Sequence, residues 1–310
     1  MKGQVIKNTG SWYVVRNENG ELTNCKVKGN FRIKGIRTTN PVAVGDIVET
    51  TINSDGIGFI TAIAPRKNYI IRKASNLSKE SHILAANIDR AYLVATIKEP
   101  VTTTTFIDRF LATSEAYNIP ATLILNKSDL WDNDDKELAE AIKYLYESIG
   151  YNVIITSTIS NEGIVALQND IKDKISLLAG NSGVGKSSII NSIIPDLNIR
   201  VGEISDTHHT GTHTTTFSEM YSIPGGGELI DIPGVKGFGT IDFDPMEVSH
   251  YFPEIFRISG NCRYNNCTHR HEPGCAVLEA LENHEIAESR YTSYLSIIDD
   301  SNPDKYRKPF

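Results

Sequence analysis

The residues best suited to chemistry form a glycine-rich loop between a predicted strand and a predicted helix. Residues 180–188 read Gly-Asn-Ser-Gly-Val-Gly-Lys-Ser-Ser, which satisfies G-x-x-x-x-G-K-[ST] in the strand–loop–helix context that this pattern requires. Glycines let backbone N–H groups turn inward around phosphates, and the helix N-terminus adds positive charge. We expect Lys186 to reach the β- and γ-phosphates as a catalytic cation. The predicted ligands are Gly180, Asn181, Ser182, Gly183, Val184, Gly185, Lys186, Ser187 and Ser188.

Two further segments are typical of the magnesium side of such a site. Asp231 and Gly234 form D-x-x-G after a strand, so Asp231 would hold the metal through water and the Gly234 N–H would sense the γ-phosphate. Residues 206–223 are rich in Thr and His, which predicts a loop that orders when a Thr hydroxyl meets Mg²⁺. Thr214 and Thr215 are both candidates. The predicted magnesium set is Ser187, Thr215 and Asp231.

A polar loop after another predicted strand indicates which base is bound. Asn126, Lys127 and Asp129 form N-K-x-D, and the Asp129 carboxylate can accept from N1–H and the 2-amino group of guanine. Adenine has neither donor, so it would leave a buried carboxylate unpaired at a cost of about 1–3 kcal/mol or more. The stem of Lys127 would pack over the base. After the next helix, main-chain N–H groups of Ser157 and Thr158 would face the guanine carbonyl.

These motifs occur in an unusual order along the chain. GTPases usually present the phosphate loop, the switch threonine, D-x-x-G, N-K-x-D and a Ser-Ala loop, whereas here the last two come first. We interpret this order as a circular permutation, which packing tolerates because domain termini often lie close together. The chain then leaves the G domain just after D-x-P-G, so the switch would lead directly into the C-terminal domain.

One position bears on the rate of hydrolysis. Small GTPases commonly have Gln after D-x-x-G to orient the attacking water, and here that residue is Val235. We therefore predict slow intrinsic hydrolysis, with help from a partner or from another residue. His213, inside the switch loop, could polarise or orient water near neutral pH. The alternative is that His213 is only a solvated residue. His208 and His209 lie close by in sequence, so histidine is common in this loop without a special role.

Three of the four cysteines lie within fourteen residues. In a reducing cytoplasm such a cluster indicates a metal site rather than disulfides. Cys262, Cys267, His269 and Cys275 would make a closed tetrahedral Zn²⁺ site of structural type, with His271 as a rival fourth ligand. A catalytic zinc, or three unrelated cysteines, are the weaker alternatives.

The remaining patterns predict a multidomain protein. Residues 1–65 contain five short β-rich runs (10–17, 22–29, 31–35, 44–52 and 56–64), which fit a small β-barrel such as an OB-fold. Residues 66–86 are basic and poorly periodic, and we predict a linker. Residues 87–244 alternate strands with helices, which predicts a parallel α/β sheet covered on both faces as a circularly permuted G domain. Residues 245–310 should form a mostly helical zinc-binding domain.

The amino-acid composition restricts the class of protein further. The chain of 310 residues has 40% hydrophobic and 22% charged residues, as expected of a globular protein, and no apolar run long enough for a membrane span. We expect a cytoplasmic monomer without membrane contact. The net charge is −7, yet residues 1–65 hold eight Lys/Arg against five Asp/Glu, so a basic first domain of +3 precedes a body of −10. This asymmetry leaves room for RNA contact at one end, although it also fits simple scatter.

With these motifs, the chain resembles the bacterial ribosome small subunit-dependent GTPase A family, the circularly permuted RsgA-type GTPases. The segments that carry the resemblance are NKSD, GNSGVGKSS, GTHTTT, DIPGVKGFG and NCRYNNCTHRHEPGCAV. The resemblance implies GTP hydrolysis stimulated by the small ribosomal subunit, a role in its late maturation, zinc on the four residues above, and assistance to hydrolysis by His213. Thr212 stands where the family usually has Arg, so a phosphate or rRNA contact by that Arg does not carry over. Thr158 stands where the family has Ala, which is a mild change.

Our first hypothesis is therefore an enzyme, a GTPase that assists assembly of the 30S subunit through contacts to 16S rRNA and proteins, with GTP or GDP, Mg²⁺ and Zn²⁺ as cofactors. The alternative is a nucleotide-stabilised rRNA-binding module in which hydrolysis has no important role. A phosphate-loop ATPase or kinase is disfavoured by Asp129.

Overall fold

The computed structural model describes residues 1–27, 41–54, 56–73, 81–197, 218–231 and 243–300. It begins with a barrel of five strands: β1 (Lys2–Asn8), β2 (Tyr13–Asn17), β3 (Leu22–Val27), β4 (Ile47–Ile52) and β5 (Gly58–Ile63). The strand order is β1-β2-β3-β5-β4, and β4 pairs back onto β1 to close the barrel. β3 and β5 run parallel, whereas the other paired strands are antiparallel. The predicted five-stranded barrel is confirmed.

Alternating residues of these strands fill the barrel, as the two-residue period of a strand requires. Val5, Val15, Cys25, Val48 and Ile60 are all buried in one cluster. Four of the five predicted strands correspond to β2–β5, and the run predicted at 31–35 lies outside the described residues. β1 was not predicted, because its sequence is mostly polar and has no strong alternation.

The connection after the barrel differs from the irregular linker that we expected at 66–86. It contains a two-stranded antiparallel ribbon of β6 (Tyr69–Lys73) and β7 (Ser81–Ala86). Ile70 and Ile83 are buried, and Ile70 belongs to the same hydrophobic cluster as the central sheet. This segment begins with basic residues but also contains a β-rich run. Its basic composition therefore led to the prediction of a linker where the structure has two strands.

A parallel sheet forms the centre of the molecule, as predicted. Its parallel strands are β8 (Arg90–Ala95), β9 (Ala121–Asn126), β10 (Asn152–Thr156), β11 (Ile175–Gly180) and β13 (Glu228–Asp231), in the order β10-β9-β8-β11-β13. β12 (Glu219–Ser222) pairs antiparallel with β13, and it occupies the end of the segment predicted as a loop. Residues 206–217 of that segment lie outside the described residues.

Helices cover both faces of this sheet. α1 (Thr104–Ala116) and α2 (Asn133–Ser148) pack on one face, where Leu93 and Leu125 are buried. α3 (Ile164–Ile171) and α4 (Lys186–Ile193) pack on the other face, against Val94 and Leu178. Neighbouring residues of β8 therefore point to opposite cores, which explains why these strands read as continuous apolar runs. The Thr103 hydroxyl caps α1 by accepting from the Phe106 N–H.

The barrel and the sheet are continuous. β12 pairs with β1 at Glu219 and Lys7, whose side chains form an ion pair of 2.9 Å. Arg16 of the barrel also pairs with Glu228 of β13 at 2.6 Å. Both contacts join the barrel to the two strands that precede D-x-P-G.

The C-terminal domain, described over 243–300, contains α5 (Pro253–Ser259), α6 (Ala276–Glu282) and α7 (Glu288–Asp300). Its hydrophobic core includes Val277, Tyr294 and Ile297, together with Ala112 from α1 of the central domain. α1 thus contributes to two cores. Among the described residues, no helix has the length and apolar character needed to cross a membrane.

Candidate nucleotide and zinc sites

The phosphate loop joins β11 to α4, and two of its glycines are required by a positive φ and by close approach to neighbouring atoms. Gly180 has φ +148°, and a Cβ there would lie 2.4 Å from the Val94 carbonyl oxygen. Gly185 has φ +95°, and a Cβ there would lie 2.4 Å from the Asn126 amide nitrogen. Val184 is buried beneath the loop, whereas Ser182 and Gly183 are exposed. Asn181 lies on the same loop, and Ser187 and Ser188 belong to the first turn of α4.

Lys186 folds back over this loop. Its Nζ donates to the carbonyl oxygens of Gly180 at 2.8 Å and Asn181 at 2.7 Å. Burial lowers the pKa of Lys186, and the charge of Asp231 opposes that shift. The ammonium group is therefore held in place over the backbone that phosphates would contact.

Asp231 ends β13 beside the phosphate loop and is only 5% exposed. Its Oδ1 is buried without a hydrogen-bond partner among the described residues. Burial raises the pKa of Asp231 to about 6, against the opposing charge of Lys186 and with a further increase from Glu219. An unpartnered buried carboxylate oxygen beside a phosphate loop fits a hard cation such as Mg²⁺, which prefers oxygen ligands.

Asn126 joins the N-K-x-D loop to the phosphate loop and is buried. Its Nδ2 donates to the Val184 carbonyl oxygen at 2.8 Å, and its Oδ1 accepts from the Thr156 hydroxyl at 2.9 Å. Three strand ends that are far apart in the chain are thereby held together at one edge of the sheet. The chain order of the motifs is permuted, but the loops meet in space.

Asp129 is exposed at the same edge, where Ser157 orients it. The Ser157 hydroxyl donates to Asp129 Oδ1 at 2.5 Å and accepts from the N–H groups of Ile159 and Ser160 at 3.1 Å. Our expectation for Ser157 differs from this arrangement, because its own N–H donates to the Glu162 carbonyl at 3.0 Å. Ser157 therefore contacts Asp129 through its hydroxyl, and Thr158 follows it on the same loop.

The loop between β8 and α1, which the sequence did not assign to the site, contacts both nucleotide loops. The Glu99 carbonyl oxygen accepts from Lys127 Nζ. The Pro100 ring lies beside Gly183, since a Cβ on Gly183 would be 3.4 Å from Pro100 Cδ. This loop follows a strand at the same sheet edge and contains a Pro, so the topology could have suggested it. The predicted Thr212, His213, Thr214, Thr215, Gly234 and Val235 lie outside the described residues.

The structure brings the predicted zinc ligands together. One ligand atom from each of Cys262, Cys267, His269 and Cys275 lies within 4.8 Å of the others. His269 presents Nδ1, which lies 3.5 Å from Cys262 Sγ and 3.4 Å from Cys275 Sγ. The Cys262–Cys275 sulfur distance of 3.9 Å compares with about 3.8 Å for a tetrahedron with Zn–S bonds of about 2.3 Å. The donor set fits zinc, and His271 is not part of the cluster.

Hydrogen bonds to the surrounding loop support this cluster. The Tyr291 hydroxyl donates to the His269 carbonyl oxygen at 2.7 Å, and Tyr294 donates to that of Thr268 at 3.0 Å. Burial would raise the pKa of Glu272, but hydrogen bonds from Thr268 and neighbouring N–H groups outweigh it and hold that pKa well below its usual range. Burial lowers the pKa of His269, which favours the neutral imidazole that a metal needs.

A buried charge cluster, also missed in the sequence, joins α1 to the C-terminal domain. Arg290 of α7 bonds Glu254 of α5 through Nε at 2.7 Å and Nη2 at 3.1 Å, and its Nη1 donates to Asp108 of α1 at 2.8 Å. The Tyr146 hydroxyl donates to the same Asp108 oxygen at 2.8 Å. Arg290, Asp108 and Glu254 are each at most 3% exposed.

A barrel, a permuted phosphate-loop sheet with a guanine-type loop, and a Cys₃His domain define a circularly permuted GTPase of three parts. The chain belongs to the RsgA GTPase family, whose profile matches residues 63–241, and the RsgA N-terminal domain matches residues 2–60. A relative in Phocaeicola vulgatus, named small ribosomal subunit biogenesis GTPase RsgA, is 57% identical over 310 residues and all of both chains.

Two solved structures are similar over almost the whole chain. YjeQ from Thermotoga maritima is 33% identical with a TM-score of 0.78, covering 99% of each chain. YloQ, described as a circularly permuted GTPase, is 30% identical with a TM-score of 0.73, covering 100% of this chain and 96% of its own. The permutation inferred from the order of the motifs is therefore a feature of the fold.

Proposed function

We propose that this protein acts in late maturation of the small ribosomal subunit as a GTP-hydrolysing factor. It binds GTP with Mg²⁺, hydrolyses it slowly alone and faster on the subunit, and then dissociates. The observation that carries the nucleotide assignment is the meeting of Asn126 with Val184, which sets the base loop against the phosphate loop. The assignment to the small subunit rests on the relatives, which are named for its biogenesis.

The residues at the sheet edge divide the work of binding. Asp129, oriented by the Ser157 hydroxyl, accepts from N1–H and the 2-amino group of guanine. The Lys127 stem covers the base, while its ammonium group is tied to the Glu99 carbonyl. Lys186 exchanges its two carbonyl partners for the β- and γ-phosphates, which are better acceptors because they are charged.

Ser187, Thr215 and Asp231 would hold Mg²⁺, which neutralises charge that develops on the phosphates. The buried, unpartnered oxygen of Asp231 supports its place in this set. Gly234 senses the γ-phosphate through its N–H, and His213 orients the attacking water because Val235 cannot. Thr214 remains the alternative magnesium ligand. We assign zinc a structural role, since four protein ligands leave no open position.

The barrel offers a surface for RNA. A groove of about 840 Å³ on the barrel is lined by Lys7, Trp12 and Leu22 among others. Lys26 Nζ lies 4.3 Å from the centroid of the Trp12 ring. A partly exposed aromatic ring beside lysines can stack an unpaired base and contact its phosphate. We therefore place an rRNA contact on this face of a protein that acts as a cytoplasmic monomer without membrane contact.

The test is GTP turnover by the purified protein with and without purified small ribosomal subunits. We expect slow release of phosphate alone and a rise of at least tenfold with small subunits, because completion of the site by a partner is worth orders of magnitude in other GTPases. Large subunits at equal concentration are the matched control. Tight GTP binding with no stimulation by any ribosomal particle would instead favour the rRNA-binding module.

A further inference from the structure

The β8–α1 loop, residues 96–103, connects the nucleotide site to a helix that two domains share. On the side of the nucleotide site, its Glu99 carbonyl oxygen accepts a hydrogen bond from Lys127 Nζ, and its Pro100 ring lies beside Gly183 of the phosphate loop. Lys98 pairs with Asp132, which caps α2 after the guanine loop, at 3.2 Å. The loop therefore contacts the phosphate loop, the guanine loop and the helix that follows it.

Internal hydrogen bonds make this loop stiff. The Thr96 N–H donates to the Thr102 hydroxyl at 3.0 Å, and the Thr102 N–H donates to the Thr96 carbonyl at 2.9 Å. The Thr96 hydroxyl donates to the Pro100 carbonyl at 2.5 Å. α1 begins two residues later, at Thr104, so little unconstrained chain separates the helix from the loop.

At its other side α1 is fixed by the C-terminal domain. Asp108 is fully buried and bonds Arg290, while Arg109 donates to the Ser296 hydroxyl at 2.8 Å. Ala112 packs into the C-terminal core. Asp108 Oδ2 has no hydrogen-bond partner among the described residues. An unsatisfied buried carboxylate oxygen is costly, and buried ion pairs are weak stabilisers, so stability alone gives little reason for this carboxylate.

We propose that Asp108 is a positioning residue for the guanine nucleotide. Asp108 couples the docking of the C-terminal domain on α1 to the contacts that the β8–α1 loop makes with the two nucleotide loops. This coupling through α1 and the β8–α1 loop is separate from the covalent chain connection that follows D-x-P-G. The proposal about Asp108 rests on the proposed function only in requiring that the nucleotide site bind guanine nucleotides. Coupling is reciprocal, so nucleotide binding also strengthens the docking of α7.

The test compares three variants of the full-length, zinc-loaded protein by the rate at which fluorescently labelled GDP is released. Asp108→Asn removes the carboxylate on α1, and Glu254→Gln removes the other carboxylate on Arg290, within the C-terminal domain. Tyr146→Phe removes the α2 hydrogen bond to Asp108 and leaves Arg290 untouched. We expect release from Asp108→Asn to be about threefold to tenfold faster, with the other two variants within twofold of the parent.

A melting temperature of Asp108→Asn equal to or above that of the parent, together with faster release, would separate positioning from stability. Unchanged release from Asp108→Asn, or equal acceleration in Glu254→Gln, would overturn the proposal. If the parent itself does not retain labelled GDP, the proposed function fails instead.

A second measurement needs no variant. In hydrogen–deuterium exchange of the parent, GDP should slow exchange of the α7 amides, residues 288–300. Unchanged α7 exchange at saturating GDP would also overturn the proposal, even if Asp108→Asn cannot be produced in folded form.

Discussion

The nucleotide site and the zinc cluster differ in how far they are open to their ligands. The nucleotide site lies at the open edge of a parallel sheet, where Asp129 is exposed and a buried Asp231 oxygen has no partner among the described residues. The zinc cluster is closed, because its four ligands face one another within 4.8 Å. The open site is suited to exchange its ligand, and the closed one to keep it.

The two sites also depend on the fold in different ways. The proposed zinc ligands come from one segment of fourteen residues, 262–275, which forms neither a helix nor a strand. The nucleotide loops come from separate strand ends, and Asn126 and Val184 meet although they are 58 residues apart. Loss of a zinc ligand should therefore unfold its surroundings, whereas loss of a nucleotide-site residue should weaken binding and leave the sheet intact.

The largest effect is expected for Cys275→Ser. A closed structural zinc site contributes folding free energy directly, about 10–16 kcal/mol in zinc-finger peptides. The variant should lose its zinc and the exchange protection of α6 and α7. GDP affinity should fall no more than about tenfold, through the loss of docking on α1. Metal analysis measures the zinc content, and hydrogen–deuterium exchange measures the protection of α6 and α7. His271→Ala is the matched control and should keep its zinc; loss of zinc there would mean that the ligand set is wrong.

Asn126→Ala should weaken nucleotide binding strongly without unfolding the sheet. It leaves the Val184 carbonyl and the Thr156 hydroxyl without their partner, at about 1–3 kcal/mol each. We expect GDP affinity to fall by at least tenfold in equilibrium titrations. Thr156→Val removes one of the two bonds and should have a smaller effect. Equal affinities for both variants and the parent would show that the contact between the loops does not matter for binding.

Asp231→Asn should have opposite effects on stability and on magnesium. Because the native pKa of Asp231 is raised from 3.8 to about 6, the native state binds more protons than the unfolded state between these values. Stability without nucleotide therefore falls as the pH rises from about 4 to about 6, by about 2–3 kcal/mol at about 1.4 kcal/mol per pKa unit.

The asparagine variant should lack this pH dependence, and at pH 7 it should be more stable than the parent in denaturant titrations without nucleotide. Magnesium should no longer tighten its GTP binding. A variant less stable than the parent at pH 7, with magnesium dependence intact, would remove Asp231 from the metal site.

The sequence predicted local features well. The phosphate loop, N-K-x-D and the zinc ligands are short patterns whose spacing reflects the ligand, and the central strands are long apolar runs. It did not predict β1, whose polar residues are fixed by pairing with β2, β4 and β12. Nor did it predict the bond between Arg290 and Asp108, which are 182 residues apart. Contacts of that kind depend on tertiary packing, and nothing in the local sequence marks them.

The most direct test of the account is the base preference of Asp129→Asn. The parent should prefer GTP strongly over xanthosine triphosphate, because the Asp129 carboxylate can accept from the 2-amino group of guanine. In the variant, the asparagine amide can donate to the 2-oxo group of xanthine, so the preference should reverse in competition binding. Unchanged preference for GTP would contradict the claim that the permuted chain places its N-K-x-D loop at the base.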